Sequence, residues 1–110
     1  MYQELIASVN LSLTDSEAVL LDRLKKAQKK PERISSITTS YRRNPDVVAY
    51  VLQRANGYCE ECNNPAPFRR ASDNSPYLEV HHIKPLSEGG EATTENAKAL
   101  CPNCHRKAHF

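Results

Sequence analysis

Apolar residues recur at helical spacing in three stretches of this chain and alternate in a fourth. Leu20, Leu21, Leu24 and Ala27 fit one helix, and Thr14-Asp15-Ser16-Glu17 ahead of them has the form of a capping box. Lys25, Lys26, Lys29 and Lys30 sit in its last turns, where cations suit the helix dipole, and Pro31 stops it. From Glu32 to Tyr41 the chain is rich in Ser and Thr without a period and reads as a linker. A second helix is signalled by Asn44 as cap, Pro45 at the first helical position, and Val47, Val48, Val51, Leu52 and Ala55 on its faces. Gly57 is placed to end it in a left-handed C-cap. Tyr77 to Ile83 alternates around Leu78 and Val80, which predicts a strand, with Ala66 to Arg70 as its expected partner. Gly89-Gly90 marks a loop. From Asn96 to Phe110 the pattern is helical but interrupted by Pro102, so a short turn and a final helix starting near Pro102 are expected. The class is α+β, with an N-terminal helical arm and linker over residues 1–43 and a compact domain over residues 44–110.

Length agrees, since 110 residues allow one core plus an arm. The net charge of +2 is too small to argue for a nucleic-acid partner, but its distribution is uneven. Residues 1–43 hold eight basic side chains, Arg42 and Arg43 among them, against five acidic ones. Such an arm suits phosphate binding, and a solvated helix face explains it equally well. No stretch approaches the roughly 20 apolar residues that span a bilayer, and no signal-peptide pattern opens the chain. The expectation is a soluble, cytoplasmic protein with no membrane partner. In that compartment cysteines rarely form disulfides, so their spacing is read as metal ligation.

Cys59-Glu60-Glu61-Cys62 and Cys101-Pro102-Asn103-Cys104 are two CxxC knuckles, a spacing that lets four thiolates meet one tetrahedral zinc. A redox CxxC would leave the second pair unexplained. The 38 residues between Cys62 and Cys101 exceed a simple zinc ribbon, so the insert is a structural unit of its own. Zinc here would stabilise a fold whose core is too small to be secure unaided.

All four histidines fall in the last thirty residues. His105 and His109 stand at i and i+4, on one helical face, and can hold one metal. His81 and His82 are neighbours on the predicted strand and point to opposite faces, so they should have different jobs. For both to reach one site, the chain should leave strand geometry here, with Lys84-Pro85 as the reason.

The run Leu78-Glu79-Val80-His81-His82-Ile83-Lys84-Pro85-Leu86, followed by Gly89-Gly90, Asn96 and Cys101-Pro102-Asn103-Cys104-His105 through His109, resembles the HNH endonuclease family, in its zinc-knuckled, restriction-enzyme-like branch. The likeness spans residues 44–110. It implies a ββα-metal fold in which a hairpin packs on a helix around one divalent cation, stapled here by the four-cysteine zinc site. It implies His82, Asn96 and His105 as the name-giving positions, with His82 the general base and Asn96 holding the hairpin loop through backbone hydrogen bonds. His81, His105 and His109 would bind the catalytic metal. DNA would be the partner, hydrolysed to 5′-phosphate and 3′-hydroxyl ends, by nicking or double-strand cleavage. Many relatives carry Asp where His81 stands and Asn where His105 stands, and this sequence departs there. An all-imidazole site suits Mn2+, Ni2+, Co2+ or Zn2+ at least as well as Mg2+. Arg69, Arg70, Lys84, Arg106 and Lys107 are candidates for phosphate contacts, though each alone reads equally as surface charge. Asn96 has a second reading as a cap of the final turn, and Glu79 stands between a catalytic acid and a solvent-facing residue. Leu20, Leu21 and Leu24 pack either within the chain or across the twofold of a homodimer. A non-catalytic zinc module that binds DNA is the alternative function, as is a second structural metal site, but either leaves His82 without a task.

Overall fold

The computed structural model describes residues 2–110. In chain order its elements are α1 (Tyr2–Ser12), α2 (Glu17–Lys26), α3 (Pro45–Ala55), β1 (Glu79–His82), β2 (Ala97–Leu100) and α4 (Pro102–Ala108), with single 3-10 turns at Leu86–Glu88 and Thr94–Asn96. The chain divides into two compact units, the first ending at Ile37 and the second running Thr38–Phe110. That division lies ahead of the expected boundary at residue 43, so Ser40, Tyr41 and Arg43 belong to the second unit.

In the first unit α1 has no counterpart among the expected elements, although Leu5, Ile6 and Val9 have helical spacing. The anticipated capping box is displaced by two residues. Ser16 caps α2 by accepting from the Val19 amide, while the Thr14 hydroxyl donates to the Leu11 carbonyl and closes α1. Helix α2 ends at Lys26, before Pro31, because Ala27 is extended. Lys29 and Lys30 therefore lie beyond the helix. No described residue of this unit is buried. Among the described residues no helix is long and apolar enough to cross a membrane.

The second unit is built on α3. Asn44 caps it by accepting from the Asp46 amide, and Pro45 occupies the first turn, where a missing N–H costs nothing. The residue that caps its end is Asn56, at φ 50°, and the expected Gly57 follows it, also left-handed at φ 85°. Val47, Val51 and Ala55 recur every fourth residue and bury one stripe of α3 against Leu78, Val80, Ala97, Ala99 and Leu100. Each valine fully buried contributes roughly 1.5–3 kcal/mol, so this cluster is a small core.

The sheet has two antiparallel strands, paired from Glu79↔Leu100 to His82↔Ala97. The expected partner strand at Ala66 to Arg70 contributes only an isolated bridge, Arg69↔Pro76, and the segment read as helical, Ala97–Leu100, takes its place. Alanine and leucine favour helix, but pairing puts Ala97 and Ala99 on the face α3 covers, and burial outweighs propensity.

A two-stranded sheet leaves an unpaired edge on each side, and this one caps both edges with side chains. On the outer side of β1, Arg70 donates to the carbonyls of Pro76 and Leu78 at 3.0 and 3.3 Å, and Arg43 donates to that of Val80 at 2.7 Å. These carbonyls recur every second residue, as strand geometry requires. On the outer side of β2, Glu60 accepts from the Ala99 amide and gives its own amide to the Ala99 carbonyl, both at 2.9 Å. Arg54 ties the edge to α3 by gripping Glu60 at 2.7 and 2.9 Å and the Ala97 carbonyl at 2.8 Å. Their mutual hydrogen bonds raise the Arg54 pKa and hold the Glu60 carboxyl below its ordinary range.

Candidate active site and metal centres

Alternation along β1 sorts its side chains by face. Leu78, Val80 and His82 turn toward α3 and are buried, while Glu79 and His81 turn toward α4. His81 and His82 thus lie on opposite faces, as expected, but the strand stays regular through His82. The anticipated departure from strand geometry is not needed, because no further strand pairs with the outer side of β1 and residues of both its faces line one cavity. His81, His82, His105, His109, Arg43 and Tyr41 line that cavity of about 330 Å³.

Helix α4 supplies the other two histidines. Cys101 caps it, accepting from the Cys104 amide at 3.5 Å, and Pro102 opens its first turn. His105 and His109 then stand one turn apart with their Nε2 atoms 3.2 Å from each other. The His81 ring lies 5.3 and 5.2 Å from theirs, and one ring nitrogen from each of the three falls within 4.8 Å of the others. This is the spacing of a divalent cation's ligand set. Burial, then the neighbouring imidazoles, lower the His81 pKa and favour the neutral ring that metal coordination needs.

Glu79 reaches the same place from the strand. Its Oε1 lies 2.9 Å from His105 Nδ1, and its Oε2 accepts from the Tyr77 hydroxyl at 2.6 Å. The Tyr77 hydroxyl and then His105 hold the Glu79 carboxyl below its usual range. An ionised carboxylate only accepts, so His105 Nδ1 donates to it, an arrangement that leaves Nε2, the atom nearest His109, as the nitrogen for a metal. Tyr77 is itself fixed by Phe68, stacked at 4.6 Å, and by the Arg70 guanidinium over its ring at 4.9 Å. Glu79 is thus neither a free acid nor a solvent-facing residue. Its pairing with the metal-side face was available from period two, since Glu79 and His81 are two residues apart.

His82 is different in kind. It is 7% exposed, and its Nε2 is shut away with no hydrogen-bond partner among the described residues. That leaves Nδ1 as the nitrogen available to the cavity. Burial, and then the Arg43 charge, lower its pKa and favour the neutral ring.

Asn96 closes the loop between the strands. Its Oδ1 accepts from the Lys84 amide at 2.8 Å, and its Nδ2 donates to the carbonyls of Lys84 and Glu91 at 3.0 and 2.9 Å. Its backbone carbonyl takes the Ile83 amide just after His82. It belongs to the 3-10 turn Thr94–Asn96 and caps no helix. Gly90 completes the loop, as a β-carbon there would overlap the Lys84 carbonyl.

The four cysteines meet at the other end of the sheet. Their sulfurs all lie within 4.8 Å of one another, with Cys62 and Cys101 3.9 Å apart. Burial pushes the Cys59 thiol up, but backbone donors at Cys62, Cys101 and Glu61 outweigh it and bring it down to about 6. Cys104, hydrogen-bonded to Cys101 and crowded by the other two sulfurs, is pushed up to about 12. A cluster that ionises one thiol readily and resists the next is a donor set fitted to a dication, which would neutralise the charge that accumulates.

The basic candidates separate. Arg70 is committed to Ser75, Pro76 and Leu78 of its own strand approach, and Arg69 to the Asn74 carbonyl. Lys84 is exposed at the loop that Asn96 closes, and Arg106 and Lys107 are exposed on α4, Arg106 lying 5.7 Å from the Phe110 ring. Arg43, from the stretch expected to be arm, is exposed and lines the histidine cavity.

Residues 59–110 match the family model described as HNH endonuclease. The chain is 44% identical over 107 residues to the type IV methyl-directed restriction enzyme EcoKMcrA of Escherichia coli (strain K12), covering 88% of this chain and 38% of that protein. A shorter likeness, 55% over 29 residues, links 26% of the chain to 38% of anaredoxin from Nostoc sp.. The chain thus spans under two fifths of the length of these relatives. Among solved structures, the type IV phosphorothioation-dependent restriction endonuclease ScoMcrA superposes with a TM-score of 0.55 at 33% identity, over 62% of this chain and 14% of that one. Both strands, α4 and the histidine cluster lie within residues 59–110, the segment that is similar to the HNH endonuclease family.

Proposed function

We propose that the protein is a metal-dependent DNA endonuclease that hydrolyses phosphodiester bonds, with zinc at Cys59, Cys62, Cys101 and Cys104 and one catalytic cation at His81, His105 and His109. One observation carries the reading: a buried histidine with an available nitrogen, His82, opens into the same cavity as three histidines spaced to hold a metal. A DNA-binding module or a second structural metal site would have no use for His82. The bound cation would neutralise the scissile phosphate and stabilise the departing oxygen. The chain's own residues supply the rest. His82, kept neutral by burial, takes the proton of the attacking water at Nδ1. Asn96 fixes the loop that follows His82 and so the direction of its ring. Glu79 fixes the tautomer of His105. Lys84, Arg106 and Lys107 hold neighbouring backbone phosphates.

The imidazole set favours Mn2+, Ni2+, Co2+ or Zn2+ over a requirement for Mg2+. Two of the similar proteins are named as restriction enzymes, which supports DNA as the substrate. The test is cleavage of supercoiled plasmid across a divalent metal series by wild type and His82→Ala. The variant should lose at least 100-fold in rate, the lower end of what a positioned base contributes. Equal cleavage by both removes His82 from the mechanism.

A further inference from the structure

The cavity at the outer edge of β1 holds four histidines and Arg43, and no acidic side chain lines it. Arg43 has one hydrogen bond, from Nη1 to the Val80 carbonyl at 2.7 Å. No side-chain carboxylate lies within ion-pair distance of it among the described residues. Arg54, by contrast, is neutralised by Glu60 in this same fold. A guanidinium has five N–H donors in a planar fork, and here all but one remain uncommitted. The one bond it makes ties it to the strand carrying His81 and His82. The residue stands ahead of the stretch matched by the family model, which begins at Cys59.

We propose that Arg43 is a substrate-binding residue of the nuclease site, its free N–H groups forking onto the oxygens of a DNA backbone phosphate seated against His82 while Nη1 holds the Val80 carbonyl. The assignment rests on the nuclease reading for its substrate, and it explains why a cation is kept in a cavity that must also accept a divalent metal. A phosphodiester anion brings the negative charge that both cations attract, and it is the substrate of the nuclease reading. A metal-only site would gain nothing from a guanidinium, which repels the ion. The double use of the side chain also fits arginine and not lysine, since a single ammonium has no rigid fork to divide between a carbonyl and an anion.

The experiment measures binding as well as turnover. Affinity for a short DNA duplex is followed against salt concentration in the zinc-loaded protein with no second metal added, for wild type, Arg43→Gln and Arg43→Lys. Each phosphate contact adds close to one to the slope of log affinity on log salt. Arg43→Gln should reduce that slope by about one, and kcat/KM by roughly 10- to 100-fold, the range for losing a charged hydrogen bond. Arg43→Lys should keep the slope and lose several-fold in kcat/KM. A role confined to bracing β1 would lower the melting temperature of both variants and leave the salt slope alone. An unchanged slope in Arg43→Gln, or equal reductions in both, overturns the assignment.

A further arm needs no charge-removing variant to fold. Wild type and Arg43→Lys are compared on a duplex whose central phosphates are replaced by neutral methylphosphonates. Wild type should lose more affinity than the variant, because both lose the phosphate's charge but only the fork also loses the second of the two oxygens it spans, and equal losses count against the proposal. Failure of the nuclease reading looks different: wild type would bind with the expected slope and cut nothing under any metal, leaving Arg43 a phosphate contact of a binding module.

Discussion

Replacing Glu79 perturbs the metal site without touching a metal ligand. The carboxylate takes one hydrogen bond from His105 Nδ1 at 2.9 Å and one from Tyr77 at 2.6 Å. Glu79→Gln keeps the shape but loses the charge, and hydrogen bonds assisted by charge are about twice as strong as neutral ones. The His105 contact should weaken by about 1–1.5 kcal/mol, close to tenfold in metal affinity at about 1.4 kcal/mol per decade. Glu79→Ala also frees the His105 ring to rotate and to protonate at Nε2. The loss should approach 100-fold, the upper range for removing the partner that orients a ligating histidine. Tyr77→Phe leaves the His105 contact in place and should cost less than fivefold, because its hydrogen bond to the carboxylate, although charge-assisted, acts on Glu79 and only a small part of it reaches the metal through His105. The expected order is Ala, then Gln, then Phe. Calorimetric titration of Mn2+ or Ni2+ into zinc-loaded protein reads it directly, with melting temperature as the control for folding. In a His105→Gln background the Glu79→Gln change should add almost nothing, since the coupling runs through that ring. Wild-type affinity in both Glu79→Gln and Glu79→Ala, or full additivity in the double variant, refutes the orienting role.

Three other outcomes follow from the same geometry. Complete chelation of zinc should unfold residues 58–105, because the core beside the cysteines is small, and a circular dichroism spectrum unchanged by chelation would contradict this. Activity with Mn2+ or Ni2+ should at least equal that with Mg2+, and a series in which Mg2+ alone activates would show that the three imidazoles do not form the ligand set. The first unit leaves Leu5, Leu11, Leu13, Leu21 and Leu24 more than half exposed, so size-exclusion chromatography with light scattering should find a dimer, and a monomer at high concentration would count against pairing through those helices.

What could be read from the sequence follows the range of the interactions involved. The cysteine pairs, the i, i+4 histidines and the Asn44-Pro45 start of α3 are local patterns, fixed by spacing of a few residues, and the coordinates bring each together as that spacing requires. Strand β2 was not legible, because Ala97, Ala99 and Leu100 have helical propensity and become a strand only by pairing with β1 beneath α3. Arg43 could not be found either. It lies 37 residues from the carbonyl it caps, and nothing local distinguishes it from Arg42. The Glu79–His105 pair spans 26 residues, but its strand half was visible in the alternation that puts Glu79 and His81 on one face.

The arrangement also explains why so short a sheet can position chemistry. Four residues per strand supply too few ladder bonds to hold a register by themselves. Register is set instead from the edges, by Glu60 on Ala99, Arg54 on Ala97, Arg70 on Leu78 and Arg43 on Val80. A slip of one residue would exchange His82 for His81 on the buried face and remove the proposed base and a proposed metal ligand together. Glu60 lies between the first two cysteines and Arg43 lies at the histidine cavity, so the caps at the two edges connect the sheet to the thiol cluster and to the site. Cys104 and His105 make the second connection, through adjacent residues of α4. Losing zinc should therefore weaken the histidine site before the protein unfolds completely: with partial chelation, Mn2+ affinity should fall ahead of the loss of helical signal. Coincident transitions would mean that the thiol cluster stabilises the fold only as a whole and has no separate hold on His105.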